Sequence, residues 1–501
     1  MTNLGVSMAD YQLDVNSQGG VFGESSAAEL ADLSKALEAG SITGRETDGL
    51  STASGAPLKV ESLEGTLKHL TYRESDIVLW RMINKAPAYN TVEEFNQLLS
   101  YGADRGGFQN EGELPQEEDS VYRRMAEHVK FLGVTKSVTH PMQLVRLQPG
   151  IGGIMQREIK NGTMWILRKV NRALAYANSA IVPQEFNGLY AQHQSAYSTL
   201  SAYQDSDVVV DLRGVRLTEE VIEQAAEAIL ENHGYADTLI APPSVLSNFS
   251  KNFLSYKQIF PNTQQVTQGI MGQRVKAVQT QFGEIGVKYD KFLKSGVSKK
   301  QATAADSSKA PAAVTAGGTP VAVAADAAST KFGDGAGDYY YAVAAVNRYG
   351  ESALTLLNAG GAQTVTATQS VDLSFTDGGG AYPATGYTIY RSVKDDASAI
   401  ADVKFYPIFS ISTAQRTAGY DGGSAGLVRD RNRFLPNTEQ AFMLQNDTDV
   451  YEFKQLAPLM KMDLAVLAPA TRFMILLYGT PQLYAPGKAV KFINIGTTAP
   501  S

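Results

Sequence analysis

The chain has 501 residues, no cysteine, 44% hydrophobic and 19% charged residues, and a formal net charge of −7. That length exceeds what a single core of roughly 250–300 residues fills, so about two to four domains are expected. Zero cysteine excludes a disulfide scaffold, a thiol nucleophile and a finger-type zinc site, and the mild acidity argues against a coat that holds nucleic acid by bulk charge.

The opening Met1-Thr-Asn-Leu-Gly-Val-Ser-Met-Ala-Asp10 has neither a basic start nor an apolar run, so no secretory signal is expected. No stretch approaches the ~18 consecutive apolar residues of a membrane span. The longest apolar string, Phe473-Met-Ile-Leu-Leu-Tyr478, has the length of a buried strand. These features predict a soluble intracellular protein without a membrane partner. Residues 1–65 are rich in Ser, Gly, Ala and Thr, with one helical stretch at Ala27–Leu37, and predict an arm that lies on another surface. Apolar residues return between Gly65 and Leu99, including Ile77, Val78, Leu79 and Trp80.

Next comes an acidic strip, Glu111, Glu113, Glu117, Glu118 and Asp119, followed by a basic, β-branched strip with Arg123, Arg124, Lys130 and Lys136 within Val121–Thr139. The pair predicts a long hairpin projecting from the body, and a hairpin without its own core needs a partner surface. From Gly150 to Ala180 the residues Ile151, Met155, Ile159, Ile166, Val170 and Leu174 fall close to a 3.6-residue period, predicting a helix stopped before Pro183. At 1.5 Å per residue, ~28 residues would make it about 42 Å long. Arg157, Lys160, Arg168 and Arg172 occupy its other sides.

A second helix is expected from Thr218, with Glu219 and Glu220 in its first turn and Gly234 at its end. Thr238-Leu-Ile240 predicts a short strand, Pro242-Pro243 the start of another helix, and Gln281–Tyr289 alternates as a strand. Gln301–Thr330 holds twelve alanines and no aromatic residue, which predicts a flexible linker. Beyond it, Tyr339–Val346, Val371–Phe375, Tyr387–Tyr390 and Phe405–Ile411 are short aromatic and β-branched runs between Gly and Asp turns. They predict a small antiparallel sandwich inserted within an α+β protein that resumes at Phe442.

No constellation of catalytic residues survives inspection. His69, His128, His140, His193 and His233 are scattered without the i,i+4 spacing of a helical metal site, so neither a metal nor a cofactor is expected. Gly487-Lys488 lacks the upstream spacing of a phosphate loop, and Gly333–Gly337 lacks that of a dinucleotide fingerprint. Gly422-Gly-Ser-Ala-Gly426 fits G-x-S-x-G on paper, but it sits in a Gly-rich linker out of the sandwich instead of the strand–turn–helix that a nucleophile elbow requires. The chain is not expected to be an enzyme.

The order of these parts resembles the major capsid proteins of tailed bacteriophages with the Hong Kong 97-type fold. That family runs from N-arm through extended loop and long spine helix to an axial domain. Val275–Asp290 looks like its axial strand pair, Arg472–Tyr484 like its returning strand, and Thr218–His233 with Leu239–Pro243 is also similar. The resemblance implies an α+β capsid fold with an N-arm at 1–65, a peripheral domain starting at 66–99, an extended loop at 100–146 and a spine helix at 147–190. An axial domain follows at 191–294, an insertion with its linkers at 295–435, and a return through both domains at 436–501. The insertion resembles immunoglobulin-like or fibronectin-type decorations, with Tyr341–Ser352 and Gly386–Arg391 as its typical phrases.

The resemblance further implies a homo-oligomer of hexamers and pentamers closing an icosahedral head shell in the virion, assembled in the host cytoplasm. Its implied partners are packaged double-stranded DNA, bound non-specifically, and scaffolding, portal and decoration proteins. On this reading Glu111, Glu113, Glu117, Glu118, Asp119, Arg123, Arg124 and Lys130 take part in contacts between subunits, and the sandwich projects outward. Arg157, Lys160, Arg168 and Arg172 either face DNA or pair with acids of the same or a neighbouring subunit. The alternatives are an encapsulin-like nanocompartment shell, whose usual chain is shorter and lacks the insertion, and a carbohydrate-binding surface adhesin. The adhesin leaves the long helix, hairpin and arm unexplained. A hydrolase built on Ser424 ranks last.

Overall fold

A computed structural model describes residues 71–102, 107–114, 117–145, 153–193, 208–252, 275–465 and 468–497. The arm at 1–65, its helical stretch and His69 lie outside them. The first half of the described chain supplies β1 (Asn84–Pro87), β2 (Val92–Ser100), β3 (Val121–His128), β4 (Lys130–Thr139), helix α1 (Ile154–Tyr176) and β5 (Val209–Asp211). Helix α2 (Glu219–Glu231), β6 (Thr238–Ala241), helix α3 (Pro243–Asn252), β7 (Ala277–Thr280) and β8 (Gly283–Tyr289) follow.

Ten strands then build the inserted module. They are β9 (Thr315–Ala325), β10 (Gly337–Tyr339), β11 (Tyr341–Asn347), β12 (Gly350–Glu351), β13 (Thr355–Leu356), β14 (Gln363–Val365), β15 (Gln369–Thr376), β16 (Gly386–Arg391), β17 (Tyr406–Ser412) and β18 (Leu427–Asp430). The chain returns through β19 (Thr438–Leu444), β20 (Tyr451–Asp463), β21 (Ala470–Leu483) and β22 (Ala489–Gly496).

The body is built on two mixed sheets. One has the order β1-β20-β21-β4, and α1 lies across it. Ile166, Val170 and Leu174, four residues apart, are fully buried against Phe473, Ile475 and Leu477 of β21. Each such side chain contributes about 1.5–3 kcal/mol of burial. Gly162 lets the helix approach: a Cβ there would stand 2.7 Å from Ile475 Cδ1. The helix is 23 residues long, about 35 Å at 1.5 Å per residue, and shorter than the expected span to Ala180. It stops because Ala177 turns extended (ψ 145°) while its N–H still closes the last turn on Ala173 O.

The other sheet has the order β5-β22-β19-β6-β8-β7. One face, with Ile240, Phe442, Leu444 and Ala489, joins the α1 core; the opposite face, with Leu239, Ala441, Met443 and Phe492, is covered by α2 and α3. Thr218 caps α2 as its sequence predicts, its side chain accepting from Val221 N, and α3 opens at Pro243.

A buried polar joint ties the two parts. Asp290, after β8, accepts from Leu79 N (3.2 Å), Asn171 Nδ2 of α1 (2.6 Å) and Phe292 N (2.8 Å), and Asn171 Oδ1 in turn accepts from Trp80 N (2.9 Å).

The inserted module is a two-sheet antiparallel sandwich. Strands β12-β11-β16-β17, with β13 beside β11, face β18-β15-β9. Between them Tyr341, Val343, Ile389 and Ile411 interleave with Val371, Leu373, Phe375 and Val428. The expected linkers are corrected at both ends. The alanine-rich stretch contains β9, paired with β15 from Gln369↔Ala325 to Thr376↔Thr315. Alanine is depleted in strands but can make the same backbone ladder bonds as any other residue, so its abundance concealed a strand whose Val321 packs on the sandwich core. The Gly-rich stretch after Ser424 contains β18, whose Asp430 is part of the sandwich core.

Candidate assembly surfaces

The expected hairpin is also redrawn. The basic strip does not pair with the acidic one: β3 pairs with β2, from Val92↔His128 to Ser100↔Val121, while β4 belongs to the four-stranded sheet beside β21. The acidic strip lies in the tip that joins β2 to β3.

The root of this hairpin is seated on the body. Phe95 meets Tyr484 edge-on at 4.9 Å, Gln97 Nε2 donates to Tyr484 O (2.6 Å), and Gln482 Nε2 donates to Glu93 O (3.4 Å). Asn187 donates to both oxygens of Glu127 (3.3 and 3.4 Å), whose carboxyl burial pushes above the usual range. Beyond Leu98 the arm overhangs. Phe108 and Leu114 are essentially fully exposed (103% and 94%), and Tyr101, Val121 and Tyr122 are also exposed. The sequence signals for these apolar residues were masked by the glycines and acids around them.

Glu111, Glu117, Glu118 and Asp119 are exposed at the tip. Glu113 is held by Asn110 N and Nδ2 (3.1 and 3.0 Å), which lower its carboxyl's pKa. Arg124 finds an acid on the neighbouring strand, Glu94 (3.4 Å), and also bonds Asn96 (3.2 Å). Arg123 is half-buried beside Gln97. Lys130 is used within the chain, donating to Pro183 O (2.6 Å).

The apolar string Phe473–Tyr478 lies in β21, and α1 covers one face of it. Phe473, Ile475 and Leu477 are buried, whereas Met474, Leu476 and Tyr478 lie half-buried on the opposite face, in register with Phe131, Gly133 and Thr135 of β4. Phe131 (61% exposed) and Met462 (45%) flank this row. A strand apolar on both faces asks for a second cover.

At 100° per residue Arg157, Lys160, Arg168 and Arg172 fall within about 120° of arc on α1. Lys160, Arg168 and Arg172 are exposed and Arg157 is half-buried. Arg168 stacks over Tyr72 (5.3 Å) and Phe292 (5.6 Å). Lys169 over Trp165 (5.6 Å) extends the same basic face, and neither residue stood out in the sequence.

The enzymatic motif dissolves. Ser424 follows the short helix Thr413–Ala418 and precedes β18, the reverse of a strand-to-helix elbow. His193 is buried with Nε2 against Ala489 O (2.8 Å); burial first, and then nearby Lys491, push its pKa down to about 3. Among the described residues no group of three or more His, Asp or Glu side chains is arranged to hold a metal, and no helix is long and apolar enough to cross a membrane.

Comparison with known proteins adds to this geometry. A family model described as SU10 major capsid protein matches residues 39–341, more than half of the chain. The major capsid protein of Staphylococcus phage S25-3 is 22% identical over 452 residues, covering 87% of this chain and 90% of that protein. Among solved structures, the capsid of a native GTA particle aligns with TM-score 0.41 and 8% identity, covering 88% of this chain and 97% of its own. The SrpI encapsulin of Synechococcus elongatus PCC 7942 aligns with TM-score 0.37 and 6% identity, covering 89% and 95%.

Proposed function

Because this chain belongs to the SU10 major capsid protein family, a family of structural phage capsid proteins, we propose that it is the self-assembling subunit of a closed icosahedral head shell with the Hong Kong 97-type fold. On this reading hexamers and pentamers enclose double-stranded DNA, and the inserted sandwich, immunoglobulin-like in kind, decorates the outside. Assembly in the host cytoplasm, with scaffolding, portal and decoration proteins as partners, belongs to the same proposal.

The observation that carries it is the overhanging tip. Phe108 and Leu114 stand almost wholly in water on a two-stranded arm without a core of its own. A contact between two different patches of one chain is heterologous, and such contacts close into rings when the rotation relating the copies closes. The half-covered face of β21 supplies a second apolar surface for burial in the assembly. The acids Glu111, Glu113, Glu117, Glu118 and Asp119, with Arg123 and Arg124, set the arm's charge, whereas Lys130 sits on the body sheet and is spent on Pro183 O. A single exposed ion pair is worth only about 0–1 kcal/mol, so the apolar residues drive the contact and the charges orient it. The basic face of α1, with Arg157, Lys160, Arg168 and Arg172, faces the packaged DNA and contributes a sequence-independent, salt-dependent attraction.

The test is Phe108→Asp with Leu114→Asp. The subunit is expected to keep its far-ultraviolet circular dichroism and melting profile, since neither side chain is buried, and to sediment as unassembled protein. Normal shells from the double variant would refute the role given to the tip.

A further inference from the structure

We infer that the sandwich is locked to the α/β body in one orientation by a polar latch centred on Arg213 and Asn494, and acts as a rigid extension of the body. The inference does not depend on the capsid reading.

Two chain connections join the parts, and alone they would make a hinge. The Glu439 carboxyl accepts from Ser295 N (2.7 Å), Ser295 Oγ (3.0 Å) and Gly296 N (3.3 Å), so the incoming chain is strapped to the outgoing strand β19. Two connections held at one place still allow rotation about that place. The latch removes it. Arg213, just after β5, reaches into the sandwich and donates to Asn432 O (2.6 Å) and Lys331 O (2.8 Å). Asn494 of β22 accepts from Leu435 N (2.8 Å), and its amide donates to Arg433 O (2.8 Å) and Asp211 Oδ1 (2.6 Å). A third contact lies elsewhere: Ile181, after α1, abuts Gly386 of β16 so closely that a Cβ there would stand 2.6 Å from Ile181 Cγ2.

The acceptors on the sandwich side are themselves fixed. Asn432 is wholly buried; its amide bonds Lys331 O (3.0 Å), and its oxygen accepts from Arg391 (2.6 Å). Arg391, also wholly buried, bonds Asp430 (2.6 Å), which accepts from Tyr341 Oη (3.0 Å) and Asn432 N (2.8 Å). The hydrogen-bond chain thus runs unbroken from the body sheet into the sandwich core. Arg213, Asn432 and Asn494 all sit in the left-handed region, with φ of 47°, 59° and 55°. Backbone held there persists only where its surroundings over-determine it. The consequence is that the sandwich meets any partner in fixed register, and does not swing on a tether.

The chain has no cysteine, so two can be introduced cleanly at exposed Glu223 on α2 and exposed Ala397 in the β16–β17 loop. Pulsed dipolar spectroscopy of the spin-labelled full chain should give one narrow distance distribution. Arg213→Ala with Asn494→Ala should at least double its width. Should that variant fail to fold, Arg213→Lys, which keeps the charge but loses the fork that spans both carbonyls, should broaden it to a lesser degree. A broad distribution in the parent, or an unchanged width in a folded latch variant, would overturn the inference.

Discussion

Replacing Asp290 by alanine tests the joint between α1 and the rest of the body. The substitution strips the acceptor from Leu79 N and Asn171 Nδ2, both buried bonds, and from Phe292 N, which is partly buried. A buried donor left without a partner costs about 1–3 kcal/mol. The two buried donors alone therefore predict a loss of about 2–6 kcal/mol, against a total stability of about 5–15 kcal/mol for a typical domain. Asp290→Asn keeps one oxygen acceptor and should cost less, about 1–3 kcal/mol. Urea unfolding of the unassembled subunit, followed by tryptophan fluorescence, reads this directly. The chain has two tryptophans, and the backbone N–H of Trp80 donates to Asn171 of the same joint. An alanine variant within about 0.5 kcal/mol of the parent, the range of an ordinary surface change, would refute the reasoning.

The buried His193 predicts acid sensitivity. Its pKa is pushed down to about 3 in the folded chain, from an ordinary 6.5. Between those values the unfolded chain binds a proton that the folded one does not, so stability falls as pH drops through that window. The loss reaches about 4–5 kcal/mol near pH 3 at 1.36 kcal/mol per unit. Glu127, Glu185 and Glu439, whose carboxyl pKa values desolvation raises, contribute with the opposite sign. The comparison is therefore the pH slope of the parent's denaturation midpoint against that of His193→Gln, which should be flatter; equal slopes would remove His193 from the account. Charge reversal at Arg123 and Arg124 should change subunit stability by no more than about 1 kcal/mol while blocking shell formation, as scored by sedimentation. Normal particles would show that these charges take no part in assembly.

Regular periodicity and local chemistry made much of the fold legible. The α1 face carried a 3.6-residue repeat, Thr218 and its two following acids marked the start of α2, and the aromatic runs from Tyr339 to Ile411 marked the sandwich. What escaped depended on partners distant in sequence. Strand β9 is held by a ladder to β15 that alanines neither announce nor forbid. The basic strip read as one half of a hairpin divides at Val129, because β4 pairs with β21, more than 300 residues away. Lys130 looked available for a neighbour, yet Pro183 O takes it. The tip's Phe108 and Leu114 were hidden among glycines and acids, and the string Phe473–Tyr478 signalled a buried strand without saying that the chain covers only one of its faces.

The central claim is that this chain closes into a shell, and electron microscopy of purified protein after a sizing column tests it most directly. Expressed alone or alongside a scaffolding protein, the chain is predicted to form ring-shaped capsomers or uniform closed shells. A monodisperse monomer under both conditions, at concentrations where phage heads assemble, would contradict the account.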